Sequence, residues 1–365
     1  MTSSFLCQTC RFVHQYLKFT KRWLLKDACN KLRLQKETGF DYISLVNKVE
    51  TGIQKAQPIL KEIDTKYIDM GGANNLGMLQ HFSCTSKTLF YITKLEACHL
   101  ADRELAFLEW QQHSLEMAER IAPELVCCQR IADSGVCALT MRHLFQSKKY
   151  EPEAIIDLYQ RMGLLTVKLS ELKGARRKGG LLQFELEAKT KITRIIKYIV
   201  TQMHLPEAYI QAQQFMDQRK QEFIARPAEF KKIKQFLSDS SYLINDFDFK
   251  KHYGLLHGDF KKSNILSDDN GQLRVIDLQY YNYGARLWDM AFFCSKEKDV
   301  FEKTFTKLIQ PLDLDAVESR IFLFFYILAV LLHVKKSSLN KLLFLKVLPA
   351  IHVLNGQAIH NKVKF

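Results

Sequence analysis

From Lys66 to Met141, apolar and polar residues alternate in short runs broken by glycine-bearing turns; beyond residue 150 the apolar spacing lengthens to three and four. The first texture predicts strands and the second predicts helices. Tyr67–Met70, Met78–Ser83 and Thr88–Leu95 read as three strands, with Gly71-Gly72-Ala73-Asn74-Asn75-Leu76-Gly77 turning between the first two. Ala101–Trp110 carries a helical pattern, and Glu124–Ile131 and Gly135–Met141 read as two further strands around an Asp133-Ser134-Gly135 turn. Thr140–Leu144 would then connect this region to a second one. There Ile155, Ile156, Leu158 and Tyr159, followed by Leu164, Leu165, Val167 and Leu169, keep helical spacing. Lys173–Gly180, basic and glycine-bearing, reads as a mobile loop.

Ahead of the strands, residues 1–60 read as helical and basic. Phe12, Tyr16, Phe19, Trp23 and Leu24 share a face, with Lys18, Lys21, Arg22, Lys26, Lys31 and Arg33 around it. Such a segment packs its apolar face on the body of the protein, or lays residues 1–40 on an anionic membrane surface. The longest apolar run, Ile321–Leu332, is twelve residues. A spanning helix needs about 20, so this run reads as a buried core helix.

Composition narrows the class. A chain of 365 residues with 47% hydrophobic and 25% charged positions can bury a sizeable core without disulfides. Its nine cysteines are odd in number and partly adjacent (Cys127, Cys128), which suggests reduced thiols and a cytoplasmic protein. Cys7-Gln8-Thr9-Cys10 has no second ligand pair at zinc spacing. The net charge of +14 suits an anionic ligand or surface. No nucleic-acid reader motif accompanies that charge, so a nucleic-acid partner is not expected.

The chemistry is concentrated in His257-Gly258-Asp259-Phe260-Lys261-Lys262-Ser263-Asn264 and Val275-Ile276-Asp277-Leu278-Gln279. Tyr253–Leu256 enters as a strand, and Ser267–Gln272 is a hairpin turn that returns the chain to Asp277. One loop and one hairpin therefore carry a carboxylate, an amide and a second carboxylate. Phosphoryl transfer from a nucleotide needs this set: one group to orient the attacking hydroxyl and two oxygen ligands for Mg²⁺. Upstream, Lys94 ends the third predicted strand and Glu104 follows ten residues later on the predicted helix. A strand lysine bridged to a helix glutamate can hold ATP phosphates, with Glu109 as the alternative partner. Gly71 and Gly72 suit a backbone cover over phosphates. Met141, in the connector, would offer backbone groups to the nucleotide base.

The pattern HGDxxxxN followed by IDxQ resembles the aminoglycoside phosphotransferase and choline kinase family, small-molecule relatives of protein kinases. Tyr280-Tyr281-Asn282-Tyr283 and Trp288-Asp289-Met290-Ala291 strengthen the resemblance. The strong part covers Leu255–Phe293, and a weaker likeness in order and spacing reaches back to Tyr67. The resemblance implies a two-lobed, protein kinase-like α+β fold and γ-phosphoryl transfer from ATP to a small-molecule hydroxyl. Asp259 would be the catalytic residue, Asn264 and Asp277 would hold Mg²⁺, and Lys94 with Glu104 the nucleotide phosphates. His257 and Asp289 would brace the catalytic loop, and Lys262 is a further candidate for the γ-phosphate. The glycine loop departs from a clean kinase glycine motif, and no activation-loop signature follows Gln279, which argues against a protein substrate.

The domain expectation is a basic extension over 1–60, a nucleotide-covering lobe over 61–145 and a catalytic, mostly helical lobe over 146–365. Acceptors of the amino-alcohol, sugar or aminoglycoside kind fit the resemblance. For a quaternary amine, Tyr280, Tyr281, Tyr283, Trp288 and Asp289 are the candidate cage. The alternatives are a kinase of a cell-envelope sugar working at the membrane surface, and a non-catalytic nucleotide-binding relative.

Overall fold

The structure is a computed structural model of the chain. It describes residues 39–60, 62–68, 75–84, 86–131, 135–146, 150–169, 220–223, 225–241, 253–333 and 342–354, with a few isolated positions besides. Most of the basic stretch 1–40, the Cys7–Cys10 pair, Gly71, Gly72 and the loop at 173–180 lie outside the described residues. The chain divides into two compact units, one of residues 1–117 and 123–144, the other of 118–122 and 145–365.

The first unit is built on an antiparallel sheet. Helix α1 (Tyr42–Ala56) precedes β1 (Ile63–Ile68), β2 (Asn75–Ser83) and β3 (Leu89–Ala97). Helix α2 (Cys98–Ser114) follows β3 directly, and then come β4 (Leu125–Ile131) and β5 (Val136–Arg142). The five strands lie in the order β1-β2-β3-β5-β4. Asp41 starts α1 by accepting from the Ser44 backbone N–H at 3.0 Å. Leu45, Val49 and Ile53, four residues apart, form its buried stripe and pack with Leu79, Leu95, Ile131 and Ala138 of the sheet. The described part of the expected 1–60 extension is thus built into the core of the first unit. Its apolar face is covered by strands, whose alternation turns one side of the sheet toward it.

Gly77 shows why glycine is needed in β2. Its φ is +144°, and a Cβ there would come within 2.4 Å of the Tyr67 ring. On β3, Thr93 is buried and hydrogen-bonds to His81 Nε2 and Thr140 Oγ1, both at 2.7 Å. The expected connector Thr140–Leu144 begins later than its composition suggested. Thr140, Met141 and Arg142 complete β5, paired with Thr93, Ile92 and Tyr91 of β3, and the strand's buried run continues through Thr140 and Met141.

The second unit is mainly helical. Its elements are α3 (Pro152–Leu169), α4 (Pro227–Ser241), β6 (Tyr253–Leu256), β7 (Ile265–Ser267), β8 (Leu273–Val275) and β9 (Asn282–Ala285). They continue with α5 (Leu287–Lys296), α6 (Phe301–Thr304), α7 (Ala316–His333) and α8 (Leu348–Leu354). β6 pairs with β9, and β7 with β8 as a hairpin. The run Ile321–Leu331 is buried within α7. Trp288 of α5 packs edge-on against Phe325 of α7 and stacks on Phe292. Among the described residues no helix is long and apolar enough to cross a membrane.

Candidate active site

In the first unit the chemistry gathers around Lys94. Alternate residues of a strand face one side, so Lys94 and Glu96 project together from β3. Helix α2 starts immediately after that strand and returns Glu104 to the same spot. Lys94 Nζ lies 2.8 Å from Glu104 Oε2 and 3.0 Å from Glu96 Oε2. All three side chains are buried, whereas Glu109, the alternative partner, is exposed. The second carboxylate was missed in the sequence, although its signal was there: a strand residue two places from the lysine shares its face. Met141 sits in β5 between Ile92 and Leu125, and its side chain is buried.

In the second unit β6 delivers the chain straight into the loop at His257. Asp289, in the first turn of α5 and fully buried, accepts the His257 N–H at Oδ2 (2.6 Å) and the Gly258 N–H at Oδ1 (3.1 Å). Gly258 has φ of 78°, a left-handed turn that glycine makes without steric cost. The Asp259 N–H donates to His257 Nδ1 at 3.2 Å, which leaves the imidazole proton on Nε2. That Nε2–H donates to the Ile276 carbonyl at 2.8 Å. His257 thereby ties the loop to the chain entering Asp277.

A second tie runs from the other end of the loop. The Ile276 N–H donates to the Asn264 carbonyl at 2.9 Å, continuing the ladder of β7 and β8. Asn264 Nδ2 donates to the Asp259 carbonyl at 3.0 Å and to Asp259 Oδ2 at 3.1 Å. The same Oδ2 takes the Lys261 ammonium at 2.7 Å, a partner not anticipated in the sequence. Asp277 follows Ile276 with φ 66° and ψ 50°, and accepts from Gln279 Nε2 at 2.9 Å. A left-handed aspartate is uncommon and re-aims the side chain at the end of the strand. The hairpin turn is closed by Asp268, whose Oδ1 accepts the Asn270 and Gln272 N–H groups at 3.0 and 2.9 Å.

Asp259, Asn264 and Asp277 are thus joined by short hydrogen-bonded paths, with His257 and Asp289 beneath. Lys262 turns aside to Glu297 at 2.6 Å. Among the described residues, three of the five suggested cage side chains are not open to an amine. Trp288 and Asp289 are fully buried, Tyr281 is 4% exposed, and the Asp289 carboxylate is occupied by loop amides. The side chains of Tyr280 and Tyr283 lie outside the described ones.

A sheet unit and a helical unit that carries a braced H-G-D loop are the parts of a protein kinase-like α+β fold. The chain belongs to the phosphotransferase enzyme family, whose model matches residues 96–310. It is therefore a phosphotransferase acting on hydroxyl groups, in the aminoglycoside phosphotransferase and choline kinase group. Solved structures similar to it include an amicoumacin kinase in complex with AMP-PNP, Ca²⁺ and Ami, at 11% identity and TM-score 0.45 over 88% of this chain and 96% of that one. A choline kinase from Cryptosporidium parvum is 14% identical, with TM-score 0.44 over 84% of this chain and 93% of that one. An ethanolamine kinase from Plasmodium vivax is 14% identical, with TM-score 0.42 over 81% and 84%. The family match, and not these likenesses, carries the assignment. No curated protein matches the chain.

Proposed function

We propose that the chain moves the γ-phosphoryl group of ATP to a hydroxyl of a small molecule, in the amino-alcohol, sugar or aminoglycoside range. The observation that carries this reading is the doubly tied loop, which presents Asp259 beside Asn264 and bonds through His257 and Asn264 to Ile276, the residue before Asp277. Asp259 is the catalytic residue: its carboxylate orients the acceptor hydroxyl and accepts its proton as the phosphoryl group transfers. Lys261, 2.7 Å from the same carboxylate, holds it in place. Lys94 holds the nucleotide phosphates, and Glu104 and Glu96 hold Lys94.

Asn264 and Asp277 fit a Mg²⁺ site. Asn264 uses its amide nitrogen on Asp259, its amide oxygen accepts from Ser263 Oγ at 3.3 Å and keeps a second lone pair for the ion, and Asp277 adds a carboxylate. An oxygen donor set with so few protein ligands suits Mg²⁺, which keeps waters and substrate phosphates in its shell. When bound, the ion supplies charge neutralisation on the phosphates. The protein's own contribution is positioning and electrostatic stabilisation.

Within the second unit a cavity of about 190 Å³ lies beside Lys262, lined also by Tyr150, Glu151, Phe293, Glu297 and Asp299. Its size suits a small acceptor, and its lining mixes the carboxylates of Glu151, Glu297 and Asp299 with the ammonium groups of Lys262 and Lys307. The test is ATP turnover with Mg²⁺ across a panel of choline, ethanolamine, sugars and aminoglycosides, paired with thermal shift by Mg-ATP. Turnover with one acceptor class, lost in Asp259→Asn, is the expected result. Neither turnover nor a nucleotide-induced shift under any condition would sink the proposal.

A further inference from the structure

One stripe of α5 touches the loop at three points along its length. Asp289, Phe293 and Glu297 stand four residues apart, so they share a helix face. Asp289 holds the His257 and Gly258 amides at the start of the loop. Phe293 packs on Phe260 in its middle, ring centroids 5.4 Å apart. Glu297, the C-cap of α5, takes Lys262 near the end, where the short 3₁₀ turn Lys262–Asn264 begins. The first contact lies inside a regular helix. The last lies at its frayed end, where the carbonyls lack intrahelical partners.

That end is held from far along the chain. Lys346, 5% exposed, donates from Nζ to the Ser295 carbonyl at 2.7 Å and to the Glu297 carbonyl at 2.6 Å. An ammonium here satisfies two carbonyls and complements the negative end of the helix dipole. Burial pulls the Lys346 pKa below the usual lysine value, opposed by the charge of Glu297. A buried ammonium is costly, and a methionine would fill the same space without that cost. A cap needed only for stability has cheaper solutions; this one also fixes the backbone of the residue that grips the loop.

The geometry points to Lys346 as a positioning residue for phosphoryl transfer, acting through Glu297 and Lys262 to set the Asn264 end of the catalytic loop. The inference rests on the proposed role of that loop. Hydrogen exchange on the full chain tests it without any substrate. In Lys346→Met the Asn264 and Ile265 amides, bonded to the Lys261 and Lys262 carbonyls, should exchange at least about tenfold faster. The His257 and Gly258 amides, held by Asp289, should keep their protection. Glu297→Gln cuts the same path with little change in packing and should give the same signature, which guards against a Lys346→Met protein that does not fold. Lys346→Arg, which keeps the charge and the donors, should restore protection.

With ATP and whichever panel acceptor is turned over, Lys346→Met should lower kcat by about ten- to a hundredfold with KM for ATP within about twofold. If all four amides accelerate equally, or none does, in both variants, the proposal is overturned. If the wild-type protein turns over no acceptor, the functional reading fails, and the exchange pattern still decides the role of Lys346.

Discussion

Asp289→Asn is the sharpest single perturbation of the site. The carboxylate is fully buried and accepts two backbone N–H groups, at 2.6 and 3.1 Å. Hydrogen bonds to a charged acceptor contribute roughly 1.5–3 kcal/mol each. Asparagine keeps one oxygen and points an NH₂ at the other amide, donor against donor. The lost bond, together with an unsatisfied buried N–H, costs on the order of 2–5 kcal/mol. Removing a buried charge gives part of that back, so a net loss of about 2–3 kcal/mol is expected. Against a typical 5–15 kcal/mol the protein should still fold. The loop should suffer more than the fold, because a displacement near 1 Å at a reacting group can cost about a hundredfold in rate. Urea unfolding followed by tryptophan fluorescence reads the stability, since Trp288 lies next in sequence and within the same core. Hydrogen exchange at His257 and Gly258 reads the loop, and kcat reads the consequence. If both amides remain protected and kcat is unchanged, Asp289 does not brace the loop and the reasoning fails.

Asp259→Asn should lower kcat by about 10²–10⁴ with the melting temperature nearly unchanged, because the carboxylate is only partly buried and its ion pair is with a neighbouring lysine; steady-state kinetics and a thermal melt check both halves. Lys94→Met should destabilise the protein by roughly 3–5 kcal/mol, since it strands Glu96 and Glu104 together in a buried site. Adding Glu96→Gln should recover part of that stability in calorimetry while ATP binding stays lost; no recovery would mean that the two acids do not share the lysine. His81 sets an acid limit. Burial lowers its pKa from 6.5 to about 4, so between those values the unfolded chain binds the extra proton and stability falls as pH drops. By pH 4 the loss should reach roughly 3 kcal/mol. Melts at pH 7 and 4.5 should show a smaller difference in His81→Gln than in the wild type, and an equal difference would refute the assignment.

What the sequence by itself determined is whatever is written within a window of a few residues. The strand alternation around Lys94, the helix that returns Glu104 and the turn at Asp268 are local patterns of polarity, spacing and turn chemistry. So is the H-G-D loop, with its asparagine and following aspartate, all within the residues that the family model matches. Tertiary structure decided what depends on contact between distant positions. It buried Trp288 and Asp289, which look in the sequence like acceptor-binding residues, because α5 lies between the loop and α7. It put Glu96 on the lysine beside Glu104, drew Met141 into the sheet, and brought Lys346 to the end of α5. No periodicity records a bond between residue 346 and the carbonyls of 295 and 297. Such a contact exists only once the apolar faces of the helices have packed, and packing brings together residues that the chain order keeps apart.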